Sequence, residues 1–104
     1  METKYNGDIM SNGEETIDET VENFDLIRYV EKSSYRYRAF KSIGDRVKMP
    51  SEIARDSGIL QNHISNVLRQ LKEKDLVICL NPSVRKGRLY RLSDKGLEIL
   101  DDLK

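Results

Sequence analysis

Two helical periodicities meet at a single glycine and the period then changes, a pattern that leaves this chain few folds to adopt. In "KMPSEIARDSG" Pro50 suits the first helical position and Glu52 the capping-box position two residues on, with Met49 as a poor N-cap. Ile53 and Ala54 face inward, and Gly58 supplies a turn where a positive φ costs little. A longer helix follows from about Leu60 to Lys74, with Ile64, Val67, Leu68 and Leu71 spaced as one apolar face. After Asp75 the run Leu76 to Leu80 is apolar with β-branched members and reads as a strand. "NPSVRKG" (Asn81 to Gly87) is a loop, and "RLYRL" (Arg88 to Leu92) alternates, with Tyr90 and Leu92 on one face. The spacing thus predicts two helices joined by a glycine turn, then a β-hairpin with a basic tip, the winged variant of a helix-turn-helix.

The flanks are helical. Phe24, Ile27 and Val30 share a face, Ser33-Ser34 interrupts or caps, and Tyr35, Ala39, Phe40 and Ile43 continue until Gly44-Asp45. The pattern fits one helix or two over residues 24–43. "SDKGLEILDDLK" opens on a capping Ser93 and reads as a last helix with Leu97, Leu100 and Leu103 along one side and Ile99 nearby. The expected class is mainly α with a small β-hairpin (α+β).

A chain of 104 residues holds one small domain. Its formal charge is zero, with 18 Lys and Arg against 18 Asp and Glu, but the two signs are segregated. Residues 1–23 hold one Lys and seven acidic residues, so residues 24–104 are basic, with a net of about +6. Residues 1–22, rich in acids and small polar residues, read as a disordered tail before a domain over 23–104. The tail is either inert or a competitor for a polyanion partner. No apolar run has the length of a membrane span and no signal peptide is visible, so a soluble, cytoplasmic, nucleoid-associated protein is expected. The single Cys79 reads as a small core residue.

The polar side of the longer helix is unusual. A solvated helix face is usually filled with Lys and Glu, whereas this one carries Asn62, Asn66 and Arg69 opposite the apolar arc, with Gln61 and Ser65 on one side and His63 on the other. Amides suit adenine edges, Arg suits guanine, and Ser either. Lys72, Glu73 and Lys74 gather at the far end, away from the turn that leads a recognition helix into a major groove. At the hairpin tip Arg85, Lys86 and Arg88 lie within four positions, suited to phosphates and the minor groove.

"PSEIA", "GILQNHISNVLRQLKEKDLV" and "RKGRLYRLSDKG" resemble the winged helix-turn-helix transcription regulators of prokaryotes, the small ArsR- and MarR-like repressors and especially their compact archaeal versions. "SSYRYRAFKSI" is similar to the first domain helix of that group, and the resemblance covers about residues 34–96. It implies a homodimer on a roughly palindromic double-stranded DNA operator, one recognition helix per half-site. Gln61, Asn62, His63, Ser65, Asn66 and Arg69 would face the major groove, Arg85, Lys86 and Arg88 would form the wing contacts, and Ser51 would sit near a phosphate. Two positions depart from the group: Leu60 where a polar cap is common, and Asp75 where Gly commonly ends the recognition helix. Metal-sensing members use Cys and His clusters; with one of each here, no intrachain metal site and no cofactor are expected.

An enzyme is not expected, for there is no glycine-rich phosphate loop and a single His supports no nucleophile set. The rival is a winged-helix protein–protein module without base readout, which should expose apolar residues at the wing and the front of the recognition helix. The apolar terminal segments suggest a two-fold interface made by Phe24, Ile27, Leu97, Ile99, Leu100 and Leu103, or else a cover for the monomer's own core. The operator, any small-molecule effector and the sign of regulation are not written in the residues; repression is the default for a chain this small.

Overall fold

The computed structural model describes residues 19–104. Its elements run α1 (Glu19–Glu31), α2 (Ser34–Ile43), α3 (Pro50–Ser57), α4 (Gln61–Glu73), β1 (Val77–Cys79), β2 (Tyr90–Leu92) and α5 (Asp94–Leu100). This is the mainly helical order with one hairpin that the periodicity predicts.

Most of the expected tail, residues 1–18, lies outside the described residues. Its last part, 19–22, does not continue the tail but opens α1. Two charge effects explain the earlier start. Glu19 and Glu22 occupy the first turn, where carboxylates suit the helix dipole. Both also reach Lys95 on α5, at 3.2 and 3.6 Å. Residues 24–43 are two helices, because the Ser33 hydroxyl accepts the Arg36 N–H at 3.2 Å and so begins α2 afresh.

Pro50 opens α3 and the Glu52 carboxylate accepts the Met49 N–H at 2.8 Å, which compensates for a cap residue with no hydroxyl. Gly58 closes α3 at φ 73°. The α4 helix buries Ile64, Val67, Leu68 and Leu71 against Phe40 and Ile43 of α2 and Ile53 of α3, in one core that also takes Leu76, Val77 and Leu92 from the hairpin. Each such side chain contributes about 1.5–3 kcal/mol by burial. Cys79 is half-buried and packs against this core, as a small residue of a short strand should.

The strands pair antiparallel with Val77 opposite Leu92 and Cys79 opposite Tyr90. A further bridge joins Lys48 to Tyr90, with both N–H groups donating to the opposite carbonyl at 2.9 and 2.8 Å. Before α3 the alternation is confined to Arg46-Val47-Lys48-Met49, too short to mark a strand, and Val47 and Met49 remain exposed, so this third partner of the hairpin was not readable from the sequence. Ser93 begins α5 by accepting the Gly96 N–H at 3.0 Å. The helix stops at Leu100, short of the end expected from the apolar pattern.

One part of the expected interface is corrected. Ile99 and Leu103 are buried in the monomer's own core, so neither is free to face a second copy. They lie on the inward side of the last segment, whereas Leu97 points outward and is 38% exposed. Phe24 is also well exposed, while Ile27 and Leu100 are partly buried against the core.

Candidate nucleic-acid interface

The interface starts from the strength of the apolar arc on α4. With that arc locked into the core, Gln61, Asn62, His63, Ser65, Asn66 and Arg69 are all left exposed on the outer side. Arg69 is already engaged within the helix, donating to Asn66 Oδ1 and lying 3.3 Å from the Glu73 carboxylate. Its guanidinium is therefore held over the outer face, next to one of the amides.

The hairpin loop is shaped by Asn81. Its amide donates to the Gly87 carbonyl at 3.1 Å and its oxygen accepts the Leu89 N–H at 2.8 Å, so one side chain spans the loop. Arg88 differs from its neighbours. Its guanidinium donates to the Val84 and Pro82 carbonyls at 2.7 and 3.2 Å, so it braces the wing from within while its charge remains at the wing's base. Arg85 and Lys86 are exposed and have no hydrogen bond or ion pair among the described residues.

The tertiary fold brings these two regions together. A cleft of about 440 Å³ runs between the start of α3, the outer flank of α4 and the wing. Ser51, Gln61 and Ser65 line one side, and Arg85, Lys86 and Arg88 the other. A second depression of about 260 Å³ continues along α4, between Ser65, Arg69 and Lys72 and the base of the wing at Arg88. Residues from three separate segments, 51, 61–72 and 85–88, thus share one polar and basic surface. Asn62 and Asn66 stand beside the cleft on the exposed arc, and His63 lies on the far flank.

The wing's position has its own support. Lys48, whose backbone bridges to Tyr90, sends its ammonium to the Ser42 carbonyl at the end of α2 and to the Asp56 carboxylate of α3 at 2.7 Å. The hydrogen bond from Lys48, and next that from Arg55, hold the Asp56 carboxyl below the usual carboxylate range. The root of the wing is tied in this way to the helices that present α4.

Helix, tight turn, helix and a three-partner hairpin folded back beside the second helix decide the architecture. The chain is a winged helix-turn-helix. Solved structures with this winged-helix fold include a MarR-family transcriptional regulator from Silicibacter pomeroyi, at TM-score 0.61 and 19% identity over 80% of this chain and 60% of that one. A variant of ZitR from Lactococcus lactis matches at TM-score 0.60 and 13% identity, over 81% of this chain and 70% of that one. NadR in complex with 4-hydroxyphenylacetate matches at TM-score 0.57 and 15% identity, over 89% and 74%. At such identities the likeness is one of fold. The winged helix spans less than two thirds of the length of the Silicibacter regulator. No family model matches the sequence, and no curated protein does. Among the described residues no group of His, Cys, Asp and Glu could hold a metal ion, and no helix is long and apolar enough to cross a membrane.

Proposed function

We propose that this winged helix is a sequence-specific double-stranded DNA-binding transcription regulator that represses as a homodimer by occupying its operator. The carrying observation is the cleft in which Ser51, Gln61 and Ser65 face Arg85, Lys86 and Arg88. In this reading α4 enters the major groove, Asn62, Asn66 and Arg69 read base edges, and Arg85 and Lys86 follow the phosphates. The amides supply directional donors and acceptors, while the exposed, unpaired cations of the wing supply the sequence-independent attraction. The likeness to MarR-family regulators agrees with this reading. The dimer is supported by apolar surface on the terminal helices: Phe24 is 57% and Leu97 38% exposed.

A protein–protein module is favoured by one feature. Leu60, at the front of α4, is 68% exposed, and Val84 at the wing is exposed as well. The two readings separate in a fluorescence-anisotropy titration of a mixed-sequence duplex at low and moderate salt, with the intact chain and an Arg85→Ala/Lys86→Ala variant. DNA binding predicts salt-dependent association whose log–log slope falls by about two units in the variant. Absence of binding by the intact chain at low salt would reject the DNA reading and make Leu60 the surface to map.

A further inference from the structure

The recognition helix has two flanks, and the wing occupies only one. At about 100° per residue, Asn62, Asn66 and Arg69 form the middle of the exposed arc, Gln61 and Ser65 lie to one side, and His63 and Gln70 to the other. The structure fills both sides. Gln61 and Ser65 face the wing across the cleft. On the opposite flank His63 meets the Tyr35 ring, with centroids 5.5 Å apart, and the Gln70 side chain accepts from Arg36 at 3.2 Å.

Arg38 completes this second flank at the end where α4 begins. Its Nε and Nη2 donate to the Ser57 and Gly58 carbonyls at 3.1 and 2.9 Å, and its guanidinium lies 5.5 Å from the Tyr35 ring centroid. Tyr35 itself is 38% exposed. Arg36 and Arg38 share a property with the wing. Among the described residues neither makes an ion pair with a carboxylate, in contrast to Lys48, Arg55, Arg69 and Lys95. Carbonyl partners fix a guanidinium in place without cancelling its charge. Arg36 is stacked on Tyr29 at 3.9 Å and donates to the Tyr29 carbonyl and to Gln70, away from the turn, so Arg38, bonded to the turn carbonyls, is the cation beside the turn.

A helix seated in a major groove has a phosphate strand on either side. Resting on the DNA reading above, we propose that Tyr35 and Arg38 form a second phosphate-binding contact, on the strand across the groove from the wing. The Tyr35 hydroxyl and the free Nη1 of Arg38 are its donors, and His63 buttresses the ring. The winged helix then grips both strands that border the groove, and the amide arc is centred between the two grips.

The test uses the full chain and a mixed-sequence duplex, titrated by anisotropy across a salt series. The variants are Arg38→Gln, Tyr35→Glu and the wing double variant. Arg38→Gln keeps a donor for the turn carbonyls. Tyr35→Glu adds an acid in the first turn of α2, a position that suits the helix dipole, so thermal unfolding close to that of the intact chain is expected. The proposal expects Arg38→Gln to lower the salt slope by about one unit, in addition to the loss in the wing variant. Tyr35→Glu should weaken low-salt binding about tenfold through repulsion of a phosphate. If Arg38 only positioned the turn, affinity would fall by the same factor at every salt concentration and the salt slope would not change. An unchanged slope in Arg38→Gln, or intact-like binding by Tyr35→Glu, overturns the second grip while wing-dependent binding leaves the DNA reading standing. No binding by the intact chain overturns both.

Discussion

Asp75 carries the most constrained backbone outside the glycines, with φ 57°. Its N–H donates to the Lys72 carbonyl at 2.9 Å and the next N–H, of Leu76, reaches back to Leu71 at 3.0 Å. These two bonds make a Schellman ending for α4 with Asp where glycine is commonest. Leu71 and Leu76, both buried, supply the apolar contact that accompanies it. Asp75→Gly is therefore expected to raise stability by up to about 1 kcal/mol and Asp75→Val to lower it by about 1–2 kcal/mol, read from urea midpoints. Gly96 has the opposite character. A Cβ there would clash with the Leu76 carbonyl oxygen and come within 3.2 Å of Leu92 Cβ. Gly96→Ala should cost about 1–2 kcal/mol in the same assay, overpacking outweighing the gain in helix propensity.

Between elements, much of the orientation rests on single polar side chains. Lys48 joins the end of α2, the body of α3 and the root of the wing. Lys95 does the same for α1 and α5: burial opposes its charge, but the Glu19 and Glu98 carboxylates outweigh this and raise its pKa. The Asp56 carboxyl is depressed in the folded state, so its contribution is complete above the ordinary carboxylate range and is lost as the pH falls through that range and below it. Asp56→Asn should flatten the loss of thermal stability below about pH 4 and leave the profile near pH 7 parallel to that of the intact chain. An unchanged acid limb would mean that the Lys48–Asp56 pair is not coupled to unfolding. The α3–α4 pair, the turn at Gly58 and the caps at Ser33 and Ser93 were legible because each rests on neighbours in sequence. The Lys48 bridge and the Arg38 bonds to the turn were not, because they join residues whose chemistry is ordinary until the chain is folded. "YRYR" at residues 35–38 was the available signal for the second flank, two aromatic–arginine repeats at the start of a helix.

For the whole molecule the open question is how the terminal helices are completed. Phe24 and Val21 on α1 and Leu97 on α5 remain exposed after the core has formed, although Ile99 and Leu103 do not. A second copy covering these residues predicts sedimentation as a dimer at micromolar concentration, and Phe24→Glu should shift it to the monomer without unfolding the core. A monomeric intact chain under the same conditions would reject the dimer.

The sequence by itself determined the order from α3 through the turn, α4 and the hairpin to α5, because helical spacing, a glycine turn and a change of period are local properties of a chain, while it left residues 24–43 as one helix or two. It also determined which side of α4 would remain outside, since the apolar arc admits one burial. Only the tertiary structure decided what stands beside that face. Folding the hairpin back onto Lys48 set Arg85 and Lys86 opposite Gln61 and Ser65, and docking α2 against the turn set Tyr35 and Arg38 on the other flank. It likewise divided the apolar residues of the last segment into buried and exposed ones. Such neighbours are separated by tens of residues, and their proximity follows from the way the shared core packs, which no local periodicity encodes.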